Sequence, residues 1–291
     1  MLTTLQISAQ DRDATAVRDK ALKILRHELN SDSFWVKVHA AEFLINLGQA
    51  KEAETVFLKE LETKGNISIQ RIGIWRVLAR SAEAEQDRRR WTNQLRDNFV
   101  NREESDRSYA LESLGKLNYQ IRSSGDEEFT RTATNDVSLL GTMATWVLAN
   151  SGVAEAEKSL VVFFNSPEVE NRGMAAYAFR FRKSISPTVL EQLIKKAQTE
   201  KEKARIYFVE AAFLHSRGEP HKELKKDVVT FLKHGTLKEQ YEACSILALK
   251  GVAEDIPLLT RLLDSTDGDV RASAAHALLC LERTTSRHPL K

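Results

Sequence analysis

Apolar residues recur along this chain in stripes at helical spacing. Towards the C-terminal end, Val270, Ala274, Ala275, Ala277, Leu278 and Leu281 line one side of a segment whose second residue is Arg271. Towards the N-terminal end, Val36, Ala40, Ala41, Phe43, Leu44 and Leu47 do the same behind Lys37. Both segments read V-[RK]-x-x-A-A-x-φ-L-x-x-L, with small residues where a neighbouring helix must come close. Laid along the chain, this frame has its central apolar residue at Leu44, Leu78, Leu114, Leu148, Phe179, Leu214, Leu247 and Leu278, at spacings of 34, 36, 34, 31, 35, 33 and 31 residues. A period of that size is one helical hairpin, repeated eight times.

Amphipathic segments precede the framed helices, at Val17–Leu29, Ala50–Leu61, Glu85–Phe99, Val153–Phe164, Pro187–Ala197, Leu224–Leu232 and Ile256–Leu263. Turn residues separate the two members of a pair, as at Asn30 to Asp32, Gly65 with Asn66, and Asp267 with Gly268. Residues 118–137 carry little periodicity, so the fourth hairpin is expected to begin with a short helix or a loop. The predicted organisation is one helical domain over 16–282 between short tails, 1–15 and 283–291.

The repeated segments resemble HEAT repeats, most closely in the final unit. The run from Gly48 through Ala50 and Ala53 to Phe57 also looks like a tetratricopeptide hairpin. Either resemblance implies an all-α fold, a right-handed α-solenoid of about eight hairpins. Seven residues before the central positions stand Lys37, Arg71, Arg107, Arg172 and Arg271, five cations in eight units. Asp32, Asn66, Asp136 and Glu202 recur five residues further back, with Asp267 one place off. In HEAT repeats such residues look like a ladder between neighbouring hairpins. A carboxylate in the turn would cap the second helix and pair with the next unit's guanidinium. A row of phosphate-binding cations is the competing reading.

Composition narrows the picture. In 291 residues there are 12 Gly and 5 Pro, too few turn formers for a strand-rich fold. The 43 basic and 41 acidic residues leave a net charge of +2, which gives no footprint for nucleic acid. No apolar run is long enough for a membrane helix, and no signal peptide is visible. The default expectation is therefore a cytoplasmic protein without a membrane partner. Cys244 and Cys280 are expected to be packed thiols. No G-x-G-x-x-G, Walker A, H-E-x-x-H or G-x-S-x-G motif occurs. The seven histidines are scattered, so neither metal nor cofactor is expected. A single His-Glu dipeptide, His27 with Glu28, speaks against the iron site of the HEAT-type deoxyhypusine hydroxylases.

In a solenoid the second helices line the inner side, the natural place for a partner. The frame puts Trp146, Tyr177, Arg180, Phe208, His215, Tyr241 and His276 on that face in units four to eight. One aromatic per unit at Trp146, Tyr177, Phe208 and Tyr241 reads as an interface stripe, unless curvature turns those rings into the core. Unit six is the weak point of the frame: Glu210 falls on a core position, and a shift of one residue exchanges Phe208 for Tyr207. The expected function is a non-catalytic module or scaffold that binds another protein or peptide on its concave face. Two alternatives remain. One is a HEAT-like enzyme or ligand-binding protein using the cleft, similar to alkylpurine DNA glycosylases, in which Trp146 with Glu112 and the run Arg88, Arg89, Arg90, Trp91 would be the local matches. The other is an accessory domain of a bacterial hydrolase such as a sulfatase.

Overall fold

The structure is a computed structural model that describes residues 9–121 and 126–285. Among them stand sixteen α-helices and no strand: α1 (Ala9–Glu28), α2 (Phe34–Asn46), α3 (Ala50–Lys64), α4 (Gln70–Ser81), α5 (Glu85–Val100), α6 (Arg107–Lys116), α7 (Glu127–Asn135), α8 (Leu139–Asn150), α9 (Ala154–Phe163), α10 (Val169–Arg180), α11 (Pro187–Thr199), α12 (Arg205–His215), α13 (Gly218–His234), α14 (Leu237–Lys250), α15 (Ile256–Leu262) and α16 (Gly268–Thr285). The even-numbered helices carry the eight central apolar positions. The weakly patterned stretch 118–137 holds the nine-residue α7. Helix α1 begins inside the segment expected to be a tail, and α16 runs into the other; residues 1–8 and 286–291 lie outside the described residues.

Local chemistry accounts for the helix ends. Thr236 and Glu239 form a reciprocal capping box on α14, and Ser186 with Pro187 starts α11. Helices α2, α6 and α8 stop the same way, at a residue with positive φ four places after the central apolar one: Gly48 (78°), Asn118 (52°) and Gly152 (83°). The next N–H then reaches back to the central residue's carbonyl, as Gln49 to Leu44, Tyr119 to Leu114 and Val153 to Leu148. Ile69 also has positive φ, 69°, which is strained for a β-branched residue. Its N–H is held at 2.9 Å by the carboxylate of Asp106.

The first helices are amphipathic, whereas the second helices are wrapped on nearly every side. In α8, Gly141 to Ala149 are all buried. A helix that is apolar all round has to be enclosed by neighbours. Two compact units provide that enclosure. The unit formed by 50–234 stacks hairpins in chain order: α4, α6, α8, α10 and α12 pack each on the next, with α3, α5, α7, α9 and α11 alongside. The architecture is all-α and solenoid-like. The other unit is built from two distant stretches, 1–49 and 235–291. There α16 packs against α14 and α15 on one side and against both α1 and α2 on the other. The first hairpin therefore stacks on the last.

Four of the five expected ladder cations, Arg71, Arg107, Arg172 and Arg271, meet a carboxylate of another hairpin, mostly not the expected one. Arg71 binds both oxygens of Asp106 at 3.0 Å, Arg107 reaches Glu128 at 2.8 Å and Arg172 reaches Glu200 at 2.8 Å. Arg107 also donates to the Phe99 carbonyl, and Arg172 to those of Ser166 and Pro167, before their own second helices. Of the turn residues expected to answer them, Glu202 lies 3.4 Å from Arg172. Asp136 and Asp267 serve their own turns instead, accepting from the N–H groups of Ser138 and Val270. Asp32 is exposed before α2. The carboxylates used come from either end of the following hairpin's first helix, as Glu128 and Glu200, or from its turn, as Asp106, so they share no fixed place in the repeat. Burial would push Asp106 up, but Arg71, the Ile69 N–H and Asn98 together hold it well below the usual carboxylate range. The hydrogen bonds of Arg131 and Arg102 outweigh burial at Glu128 and hold it at about 2. These pairs join neighbouring hairpins, which is a structural role.

Candidate functional site

Within the unit 50–234, the aromatic residues of the second helices meet edge to face. Trp146 of α8 lies on α6, where Gly115 leaves room; a Cβ at Gly115 would stand 2.6 Å from the indole. Tyr177 of α10 follows, with ring centroids 6.0 Å apart and planes at 83°. Tyr207 of α12 comes next, 5.5 Å from Tyr177 at 80°. Phe181, at the end of α10, touches both Trp146 (5.2 Å) and Tyr177 (5.1 Å). Such pairs contribute about 0.5–1.5 kcal/mol each beyond area burial. The expected stripe is thus contiguous, but it has depth. Trp146 and Phe208 are completely buried. These two side chains are core residues rather than partner contacts, because neighbouring hairpins already cover them. In unit six the register is shifted by one: Phe213 is buried where Leu214 was expected, and Tyr207 takes the half-open place of Phe208.

Cations flank the open part. Lys116 stands 5.6 Å over the Tyr177 ring and Arg180 5.7 Å over both Tyr177 and Phe181. Both are balanced, Lys116 by Glu112 at 2.8 Å and Arg180 by the fully buried Glu210 at 2.5 Å. Glu210 is therefore a buried acid on the core side after all, tolerated because a guanidinium covers it. His215 is half-buried, and its Nε2 donates to the Phe179 carbonyl at 2.9 Å, closing the end of α10. The surface left open is Tyr177, Phe181 (37% exposed) and Tyr207, rimmed by Lys116 and Arg180. Phe181 lies two residues past the frame's central position, so the frame missed it; Gly115 and Gly173, each against a ring of the next hairpin, were the available signal.

The remaining two predicted contacts belong to the unit formed by 1–49 and 235–291. His276 is buried and stacked on Phe43 at 4.5 Å, so it is not a surface residue. Its Nε2 lies 3.4 Å from the Cys280 sulfur. Burial pushes that thiol up, against a smaller pull from Arg283, so it stays protonated at neutral pH. Tyr241 is half-buried, 5.3 Å from His39, with Lys238 over its ring.

The residues matched to a glycosylase cleft lie on α5, α6 and α8. Trp146 is enclosed, Glu112 is engaged with Lys116, and Arg88, Arg89 and Arg90 lie exposed on α5, Arg89 paired with Glu85. A cavity of about 490 Å³ lies instead along α9 and the start of α11, lined by Val153, Glu157, Val161, Arg182, Val189 and Gln192. No group of three or more His, Cys, Asp or Glu side chains among the described residues could hold a metal ion. None of their helices is long and apolar enough to cross a membrane. No family model matches the chain, and no curated protein matches it. Two solved structures align over most of its length. The X-ray structure of YibA from Escherichia coli shares 17% identity at a TM-score of 0.37, covering 95% of this chain and 99% of that one. An engineered protein shares 19% identity at 0.34, covering 97% and 87%.

Proposed function

We infer that this chain is a HEAT-like binding module without catalysis of its own, and that it holds a partner protein through Tyr177, Phe181 and Tyr207. The observation that carries this reading is the partly open aromatic row on consecutive second helices, seated on a rigid floor of Trp146. Rigid rings lose little freedom when they are covered, which suits them to anchoring an interface. Because Lys116 and Arg180 are already balanced by Glu112 and Glu210, the row favours an apolar or aromatic segment over a strongly charged one.

The test is selection of peptides from a random display library on the intact protein, followed by titration against Phe181→Asp. Selected peptides should be rich in apolar residues and lose at least ~10-fold in affinity on the variant, the scale of one interface anchor. Peptides that bind the variant equally well would place the binding surface elsewhere.

A further inference from the structure

The first hairpin sits on the last by the same rule that joins sequential hairpins in the other unit. Arg271, at the start of α16, pairs with Glu28 at the end of α1 at 2.6 Å, just as Arg172 of α10 pairs with Glu200 at the end of the next first helix. Arg271 also takes the Ser265 carbonyl of its own turn at 2.7 Å, matching Arg172 with Ser166. Around this pair His39 meets Asp269 at 2.8 Å, Phe43 stacks on His276, and Arg283 grips the carbonyls of Asn46 and Leu47 where α2 ends. Hairpin one thus occupies the place of a ninth repeat. Nothing covalent holds it there: the stretches 1–49 and 235–291 are joined only through the 185 residues of the other unit.

We propose that the socket on α14 and α16 takes the first hairpin of a second copy of this chain, so that two chains exchange hairpins reciprocally. Every contact that seats the hairpin is a side-chain or main-chain contact that a second copy's hairpin reproduces unchanged. Exchange therefore keeps the contacts that seat the hairpin and changes the path of the chain at the Leu47 to Ala50 connection, where Gly48 has φ of 78°. Reciprocal exchange of identical elements is a low-cost route to a dimer.

Charge reversal separates the two arrangements. In Glu28→Arg, and separately in Arg271→Glu, each chain carries like charges at its own hairpin and socket. Co-refolded in equal amounts, the two variants restore both pairs only by exchanging hairpins. The expected result is that most chains of the mixture run at about 66 kDa by light scattering, twice 32.9 kDa, with a thermal midpoint near wild type, while each variant alone melts lower. The doubly reversed chain, Glu28→Arg with Arg271→Glu, should fold like wild type and serves as the control for folding. A mixture that stays at monomer mass with the low midpoints of its components, beside a restored double variant, would overturn the proposal. So would a double variant that is not restored, since the pair would then not seat the hairpin.

Discussion

Replacing Gly115 with alanine sets two opposing effects of known size against each other. In an isolated helix the change stabilises by about 1 kcal/mol, because glycine is the poorer helix former. Here the new methyl would stand 2.6, 2.7 and 2.7 Å from three carbons of the Trp146 ring, where about 3.5 Å is needed. The ring cannot yield cheaply: it is wholly buried and braced by Tyr177 at 6.0 Å and Phe181 at 5.2 Å. Overpacking of this kind costs about 1–3 kcal/mol, at the upper end for a rigid ring. The Gly115 carbonyl also accepts from Asn150 at 2.9 Å, and displacing it weakens a bond of about 1 kcal/mol. The net loss should be about 2 kcal/mol, which lowers the melting midpoint of a unit this size by about 4–8 °C. Urea unfolding followed by tryptophan fluorescence measures it. Adding Trp146→Leu should remove most of the penalty, giving a coupling of at least ~1 kcal/mol between the two sites. Gly152→Ala is the contrast, because nothing lies within 4 Å of its Cβ and only its φ of 83° is at stake; it should cost about 1 kcal/mol. If Gly115→Ala proves as stable as wild type, the close approach of ring and helix is wrong.

Glu210→Ala and Arg180→Ala should each destabilise by about 3 kcal/mol, because each strips a buried pair of one partner, and thermal unfolding of the two variants measures it. Stability should also fall in acid. Glu128, Asp106 and Glu200 are all held below the ordinary carboxylate range, so the folded form prefers them ionised. Their contribution is complete above about pH 5, where the unfolded carboxylates are ionised too, and drains away as pH falls towards about 2, the folded value for Glu128. Glu128 alone accounts for about 2 kcal/mol, less than its full shift implies because Arg102 and Arg131 are largely solvated. Urea midpoints between pH 3 and pH 7 should therefore change less in Glu128→Gln than in wild type, and an equal slope would refute this account.

The repeat was legible because each hairpin must hide one stripe, and a stripe is written in a single helix. All eight central positions fall on second helices, and the fixed offset picks out Arg71, Arg107, Arg172 and Arg271, which pair between hairpins. What a stripe does not encode is which neighbour covers it. Val270 and Leu278 show that α16 buries a face, yet nothing in their spacing says that α1 and α2 cover part of it. The same limit explains the site. Trp146 and Tyr177 hold the same place in the frame, but Trp146 is closed over by Phe181 and Tyr177, while Tyr177 stays half open. At Leu214 the frame fails by one residue because Tyr207 packs over Gly173, a contact between hairpins that no single stripe predicts.

Splitting one unit between the two ends of the sequence imposes an order on biosynthesis. Residues 50–234 are contiguous and can fold as they leave the ribosome, but Glu28 and Phe43 have to wait for Arg271 and His276 to be translated. At about 5–20 residues per second that wait is roughly 12–50 s. During it the greasy sides of α1 and α2 lack their proper cover, so nascent chains on one messenger, each carrying an early hairpin and lacking a late socket, are when chaperone attention or mispairing should concentrate.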